Sequence, residues 1–282
     1  MIGEDDSGQK TSNRQLATAC ARLGDVVRGW ALRFLLGACS VAACSRPSTS
    51  EPPVRVAAAS DLAPAAAALS KAFESAHGGH VEFVLGSSGL LSRQIAEGAP
   101  YDAFLAADES FADRAIDAGV CDKRTRRAYA RGRLVVWTRA GAPAPAALAD
   151  LADARYARIA IANPDHAPYG RAASQALERA GLWSQLEPRI VRADNVSAAL
   201  ALARTGNVDA ALLSASLSSG DTGGRRLPVP ETLHDPLVQT AVACSGGHAA
   251  DAGRVFAAFV ASPAGAAVLA RFGFATPERL RP

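Results

Sequence analysis

The chain has 282 residues with 30 Lys and Arg against 27 Asp and Glu, a formal net charge of +3, so bulk attraction to nucleic acid is not indicated. Its five histidines show no ligand-like spacing and there is no Cys-x-x-Cys, which argues against a metal held directly by side chains.

Residues 1 to about 25 are polar and uninformative. Arg28 and Arg33 then flank an apolar run that continues as Phe34-Leu35-Leu36-Gly37-Ala38-Cys39-Ser40-Val41-Ala42-Ala43-Cys44. A positive end, a short apolar core and small residues read as an export signal over residues 1–44, too short for a confident membrane span. Val41-Ala42-Ala43-Cys44 is similar to a bacterial lipobox, so Cys44 is the expected lipidated first residue of the mature chain. Cys39, after Leu36-Gly37-Ala38, fits the same pattern with a shorter apolar core, and ordinary cleavage near Ala43 is the alternative. The leader is long enough for translation to start further down, near Val26 or Val27. Residues 45–53, rich in Ser and Pro, have linker composition and would tether a domain to a membrane.

The remainder, 54–282, suffices for one large domain or two small ones. Val54–Ala59 reads as a strand, followed by an alanine-rich helix from about Leu62 to His77. Val81–Leu85 is a strand that breaks at Gly86-Ser87-Ser88-Gly89, with a helix from about Leu90, a turn at Gly98-Ala99-Pro100 and a strand at Ala103–Ala107. Ser110–Ala118 is helical, Arg133–Thr138 is a β-branched strand, and Ala140–Pro145 is a turn. Ile159–Ala162 is a strand ending at Asn163-Pro164, and Gly170–Ala180 is a helix. Ile190-Val191 is a short strand, Val196–Thr205 a helix and Ala210–Leu213 another strand. This alternation implies an α/β fold with largely parallel sheets. Cys121 and Cys244 remain in a compartment that permits disulfides; a bridge between them and two separate buried thiols are both open.

Four strand-to-helix junctions carry chemistry. At a helix start the first N–H groups lack partners and the dipole presents its positive end, which suits a small oxyanion. Gly86-Ser87-Ser88-Gly89 adds two neutral hydroxyls to such donors without Lys or Arg, and its glycines allow close backbone approach. Ser60 and Asp61 close the first strand, where either is also a plain helix cap. Asn163-Pro164-Asp165-His166-Ala167-Pro168-Tyr169-Gly170 delivers Tyr169 and Gly170 to a helix start, and Asp194-Asn195-Val196 makes the fourth junction. In parallel α/β sheets ligands gather beyond the carboxyl ends of strands, so four junctions can converge on one cleft.

From about Val54 to Phe274 the chain resembles the molybdate-binding proteins of bacterial ABC transporters. The resemblance rests on Ala57-Ala58-Ala59-Ser60-Asp61-Leu62, Gly86-Ser87-Ser88-Gly89, Arg93-Gln94-Ile95, Gly98-Ala99-Pro100-Tyr101-Asp102 and Asn163-Pro164 in order and spacing. Phe259-Val260-Ala261-Ser262-Pro263 and Arg271-Phe272-Gly273-Phe274 close the set. It implies a periplasmic-binding-protein fold of type II: two α/β lobes of mixed, mostly parallel sheets, joined by crossover strands and closing on the anion by a hinge. The expected division is 54–132 plus 245–282 for the first lobe and 133–244 for the second, with crossovers near Arg133–Thr138 and Val238–Cys244. By position, Ser60 and Ser88 would donate from hydroxyl and backbone, and Tyr169 and Val196 from backbone N–H. Some family members offer a tyrosine hydroxyl at the position of Ser214; the shorter serine leaves a fifth donor to Ser214 or to the hydroxyl of Ser87. Asp61 would cost free energy beside a dianion unless it turns away, and is expected to cap its own helix.

The implied function is capture of molybdate or tungstate outside the cytoplasm by a monomer. Delivery is then to an ABC permease and its ATPase, with a lipid anchor at the membrane and no cofactor. A donor-only site suits a fully ionised tetrahedral dianion and penalises a protonated one such as hydrogen phosphate, whose O–H would find no acceptor. Neutral dipoles leave no buried cation to desolvate and re-solvate at release. A sensor or carrier for another oxyanion such as sulfate keeps the same chemistry. The rival from another class is a serine hydrolase using Ser60 or Ser88 with His166. No Gly-x-Ser-x-Gly elbow is present, and His166 reads as a solvated loop residue.

Overall fold

The computed structural model describes residues 51–220 and 222–277. The export signal at 1–44, Cys44 and most of the linker at 45–53 lie outside the described residues.

Two five-stranded sheets organise the chain. The first contains β1 (Val54–Ala59), β2 (Val81–Gly86), β3 (Ala103–Ala106), β4 (Arg127–Gly132) and β10 (Leu237–Ala243), in the order β2-β1-β3-β10-β4. The second contains β5 (Leu134–Arg139), β6 (Ile159–Ala162), β7 (Ile190–Ala193), β8 (Ala210–Ser214) and β9 (Gly224–Pro228), in the order β7-β6-β8-β5-β9. In each sheet four strands point the same way and one, β10 in the first and β5 in the second, runs against them. The sheets are therefore mixed and mostly parallel, as expected. The two orders are equivalent, and in each sheet the fourth strand is the one that enters directly from the other lobe.

That equivalence relocates the second crossover. Leu237–Ala243, expected to belong to the second lobe, pairs along its length with β3 and β4 of the first sheet. The chain crosses at Arg133 and again within 229–236, so the two crossovers are the gaps between strands and not the strands themselves.

Helices cover the sheets: α1 (Ala66–His77), α2 (Ser88–Ala96) and α3 (Glu109–Asp117) on the first, with α7 (Ala250–Val260) and α8 (Pro263–Ala270) returning to it. The second carries α4 (Pro168–Arg179), the short α5 (Trp183–Leu186) and α6 (Val196–Arg204). Strand alternation explains the layering. Val54, Val56 and Ala58 of β1 join the cluster around Phe73, Phe256 and Leu269, whereas Ala57 joins Leu91, Phe104 and Phe111 on the opposite face. β4, β9, α5, α7 and α8 are not among the expected elements; β4 and β9 carry two arginines each, so their apolar signal is weak.

Cys121 and Cys244 are joined by a disulfide that spans 123 residues of chain. It ties the segment after α3 to the end of β10, deciding between the two readings the sequence left open.

Candidate functional site

Ser60, Ser87, Ser88, Tyr169 and Val196 all lie beyond the carboxyl ends of parallel strands, whereas Ser214 is the last residue of β8. Ser60 begins a 3-10 turn after β1, Ser87 and Ser88 follow β2, Tyr169 lies beyond β6, and Val196 follows β7. The structure brings Ser60, Ser88, Tyr169 and Val196, with Ser87 and Asp61, into the wall of one cavity between the lobes. No Lys or Arg contributes to that wall.

Local structure decides which donors are free. Helix α2 starts at Ser88, two residues earlier than expected, so Ser88 occupies the first helical position. Its amide has no partner within the helix. Its buried hydroxyl accepts from the Ala107 amide at 3.0 Å, leaving its own hydrogen to donate elsewhere. In α4, Pro168 occupies the first position and brings no N–H, so Tyr169 supplies the first amide of that helix. In α6 the Asn195 side chain caps the Ala198 amide at 3.0 Å and leaves the amide of Val196 at the helix start. Ser60 is nearly buried, and its carbonyl accepts from Ser197 of α6 at 2.8 Å.

The lobes are closed on each other by polar contacts. The Gly89 amide donates to the His166 carbonyl at 2.9 Å, and the Ser87 hydroxyl donates to that same carbonyl. Ser87 also meets His166 Nδ1 at 2.8 Å. His166 is therefore a half-buried partner across the cleft rather than a solvated loop residue. A Cβ on Gly89 would lie 2.6 Å from the His166 oxygen, so this glycine lets lobe approach lobe, not lobe approach ligand. At the rim Arg171 pairs with Asp108 at 3.1 Å. Ala59 and Ala107 of the first lobe pack into the apolar cluster of the second.

The two reserve donors are placed differently. Ser87 lines the cavity, but its hydroxyl is committed to His166. Ser214 bonds the hydroxyl and, at 3.2 Å, accepts from the amide of Ser216, and it does not line the cavity.

Asp61 departs most from expectation. It does not cap helix α1, whose start has no side-chain cap. It is fully buried, and its Oδ2 accepts from the Tyr169 hydroxyl at 2.9 Å and from Gln239 Nε2. Gln239 in turn accepts from the Tyr129 hydroxyl at 2.7 Å and donates to the Tyr169 oxygen at 3.1 Å. The Asp61 carbonyl accepts from Ser216 at 2.9 Å. A carboxylate buried without a cation resists ionisation: burial pushes the Asp61 carboxyl up to about 6, opposed by the hydrogen bonds from Gln239 and Tyr169. Burial, then the nearby Asp61 charge, raises the Tyr169 phenol well above its ordinary range. The sequence contains one signal of this network, Gln239, which with Thr240 interrupts the apolar Leu237–Ala243 strand.

The arrangement offers hydroxyls and helix-start amides around a space with one carboxylate at its edge. That suits non-covalent capture of a small oxyanion. Ser87 and His166 are within hydrogen-bond distance, yet the serine hydroxyl is shared with the His166 carbonyl, and no carboxylate is recorded on the imidazole among the described residues.

The family model for bacterial extracellular solute-binding proteins matches residues 54–275. The molybdate-binding protein ModA of Rhodobacter capsulatus is 32% identical over 202 residues, covering 70% of this chain and 79% of that protein. The molybdate-binding protein ModA of Escherichia coli (strain K12) is 29% identical over 259 residues, covering 88% and 99%. In three dimensions the chain is similar to the periplasmic molybdate-binding protein of Azotobacter vinelandii, with a TM-score of 0.74 and 28% identity, covering 80% of this chain and all of that one. The two-lobed α/β architecture of the type II periplasmic-binding kind is thus shared with a solved structure.

Proposed function

Since this chain belongs to the bacterial extracellular solute-binding protein family, we propose that it captures molybdate outside the cytoplasm and delivers it to an ABC transporter permease with its ATPase. The observation that carries this reading is the convergence of Ser60, Ser88, Tyr169 and Val196 on one cavity without a cation, in a chain similar over most of its length to molybdate-binding proteins. In this reading those four residues bind the oxygens of the anion: Ser60 and Ser88 through hydroxyl and amide, Tyr169 and Val196 through amides. The molybdenum itself needs no protein ligand. Tungstate has nearly the same shape and fits the same donors. Sulfate is the second reading, as a smaller oxyanion with the same charge.

Calorimetric titration of the mature protein with molybdate, tungstate and sulfate tests this. Tight binding of molybdate with weak or no binding of sulfate is expected; equal affinity for sulfate, or none for molybdate, refutes it. We further propose that the chain acts as a monomer anchored through a lipidated Cys44. The mass of the processed N-terminus distinguishes a diacylglyceryl cysteine from simple cleavage near Ala43.

A further inference from the structure

We propose that the site binds each fully ionised oxyanion together with one proton, and that Asp61 Oδ1 is the atom that holds it. This rests on the molybdate reading above and concerns how the same cavity balances charge.

The geometry separates the two carboxyl oxygens of Asp61. Oδ2 is saturated by the Tyr169 hydroxyl and Gln239 Nε2. Oδ1 is buried and has no hydrogen-bond partner among the described residues. An acceptor left in that state costs free energy, and Asp61 stands in the wall of the cavity with Ser60 and Ser88. The groups acting on it are Tyr169 from α4, Gln239 from β10 and its own turn's amides, with Tyr129 of β4 behind Gln239 and Ser216 after β8 on its carbonyl. None is a cation.

A dianion arriving beside an ionised Asp61 sets acceptor against acceptor across a dry space. Protonation at Oδ1 removes one charge and turns that acceptor into a donor. The carboxyl is already pushed up to about 6 by burial, and a neighbouring dianion pushes it in the same direction. In balance, carboxylate plus dianion plus a proton from the solvent gives a neutral carboxyl beside the dianion. The only bond formed is O–H at Oδ1, and no group leaves. A ligand that brings its own proton, such as hydrogen phosphate, instead donates to the ionised Oδ1 and takes up none. The site is therefore not made of donors alone, and discrimination against protonated oxyanions falls to shape.

The test is calorimetry of molybdate binding to the mature wild-type protein at about pH 7.5, in buffers of differing ionisation enthalpy. The expected result is uptake of about one proton per molybdate, with affinity falling about tenfold per pH unit above 7. The Asp61→Asn variant should show no buffer dependence and a flat pH profile. Heat independent of buffer in the wild type overturns the proposal, as does undiminished uptake in Asp61→Asn. If the variant does not fold, the wild-type buffer series alone decides. Absence of any molybdate binding refutes the molybdate reading itself, an outcome distinct from binding without proton uptake.

Discussion

The Tyr169 hydroxyl donates to Asp61 Oδ2 across the cleft at 2.9 Å, joining the start of α4 in the second lobe to the end of β1 in the first. One residue thus serves two ends: it lines the cavity at a helix start, and its phenol fastens the lobes together. Tyr169→Phe keeps the amide and removes the fastening. It leaves Asp61 with one donor fewer, so the closed state loses about 1–3 kcal/mol at neutral pH. Urea unfolding of the two proteins measures the loss, which should shrink near pH 5 as Asp61 becomes neutral.

Asp61 also sets a pH dependence of stability. Its carboxyl lies at about 6 in the folded chain against 3.8 for the unperturbed group. The folded state holds this proton more tightly, so between those values stability rises as pH falls. Above 6 the ionised group imposes its full cost. Asp61→Asn removes that cost. Relative to the wild type, the variant should gain on the order of 3 kcal/mol above pH 7, narrowing toward pH 4. Thermal unfolding across this range checks it; a gap that widens toward low pH would contradict the burial argument.

Ser88→Ala deletes a hydroxyl that accepts from the Ala107 amide and keeps its own hydrogen for the anion. Loss of one neutral donor to a charged ligand is worth roughly 1.5–3 kcal/mol, about a tenfold to hundredfold rise in Kd for molybdate. Unchanged affinity would remove Ser88 from the binding set.

Gly89→Ala places a methyl group 2.6 Å from the His166 oxygen when the lobes are closed, yet suits the first turn of helix α2. It should weaken molybdate binding while leaving the ligand-free melting temperature unchanged or raised. Small-angle scattering should show that molybdate no longer compacts the protein.

The disulfide between Cys121 and Cys244 closes a loop spanning 123 residues and lies away from the cavity wall. Replacing both cysteines by serine should lower the unfolding free energy by about 2–5 kcal/mol, with molybdate affinity unchanged. Denaturant melts and calorimetry separate the two effects.

By itself the sequence determined the strands β1, β2, β3, β6 and β8, because each is a short apolar run bounded by polar or turn-forming residues. It also marked the four junctions, because helix starts carry local signals: Ser-Ser between glycines, Pro168 before Tyr169, Asn195 before Val196. Those signals act within a few residues and are legible without a partner. The tertiary structure decided what depends on residues distant in the chain. Val238–Cys244 reads as a crossover until the pairing of β10 with β3 and β4 is seen. Ser87 and His166 are separated by 79 residues and meet only when the lobes close. Asp61 looks like a helix cap because a short carboxylate after a strand usually is one. Burial between two lobes, with Gln239 and Tyr169 as its donors, gives it a different chemistry, and burial is a property of the folded chain alone.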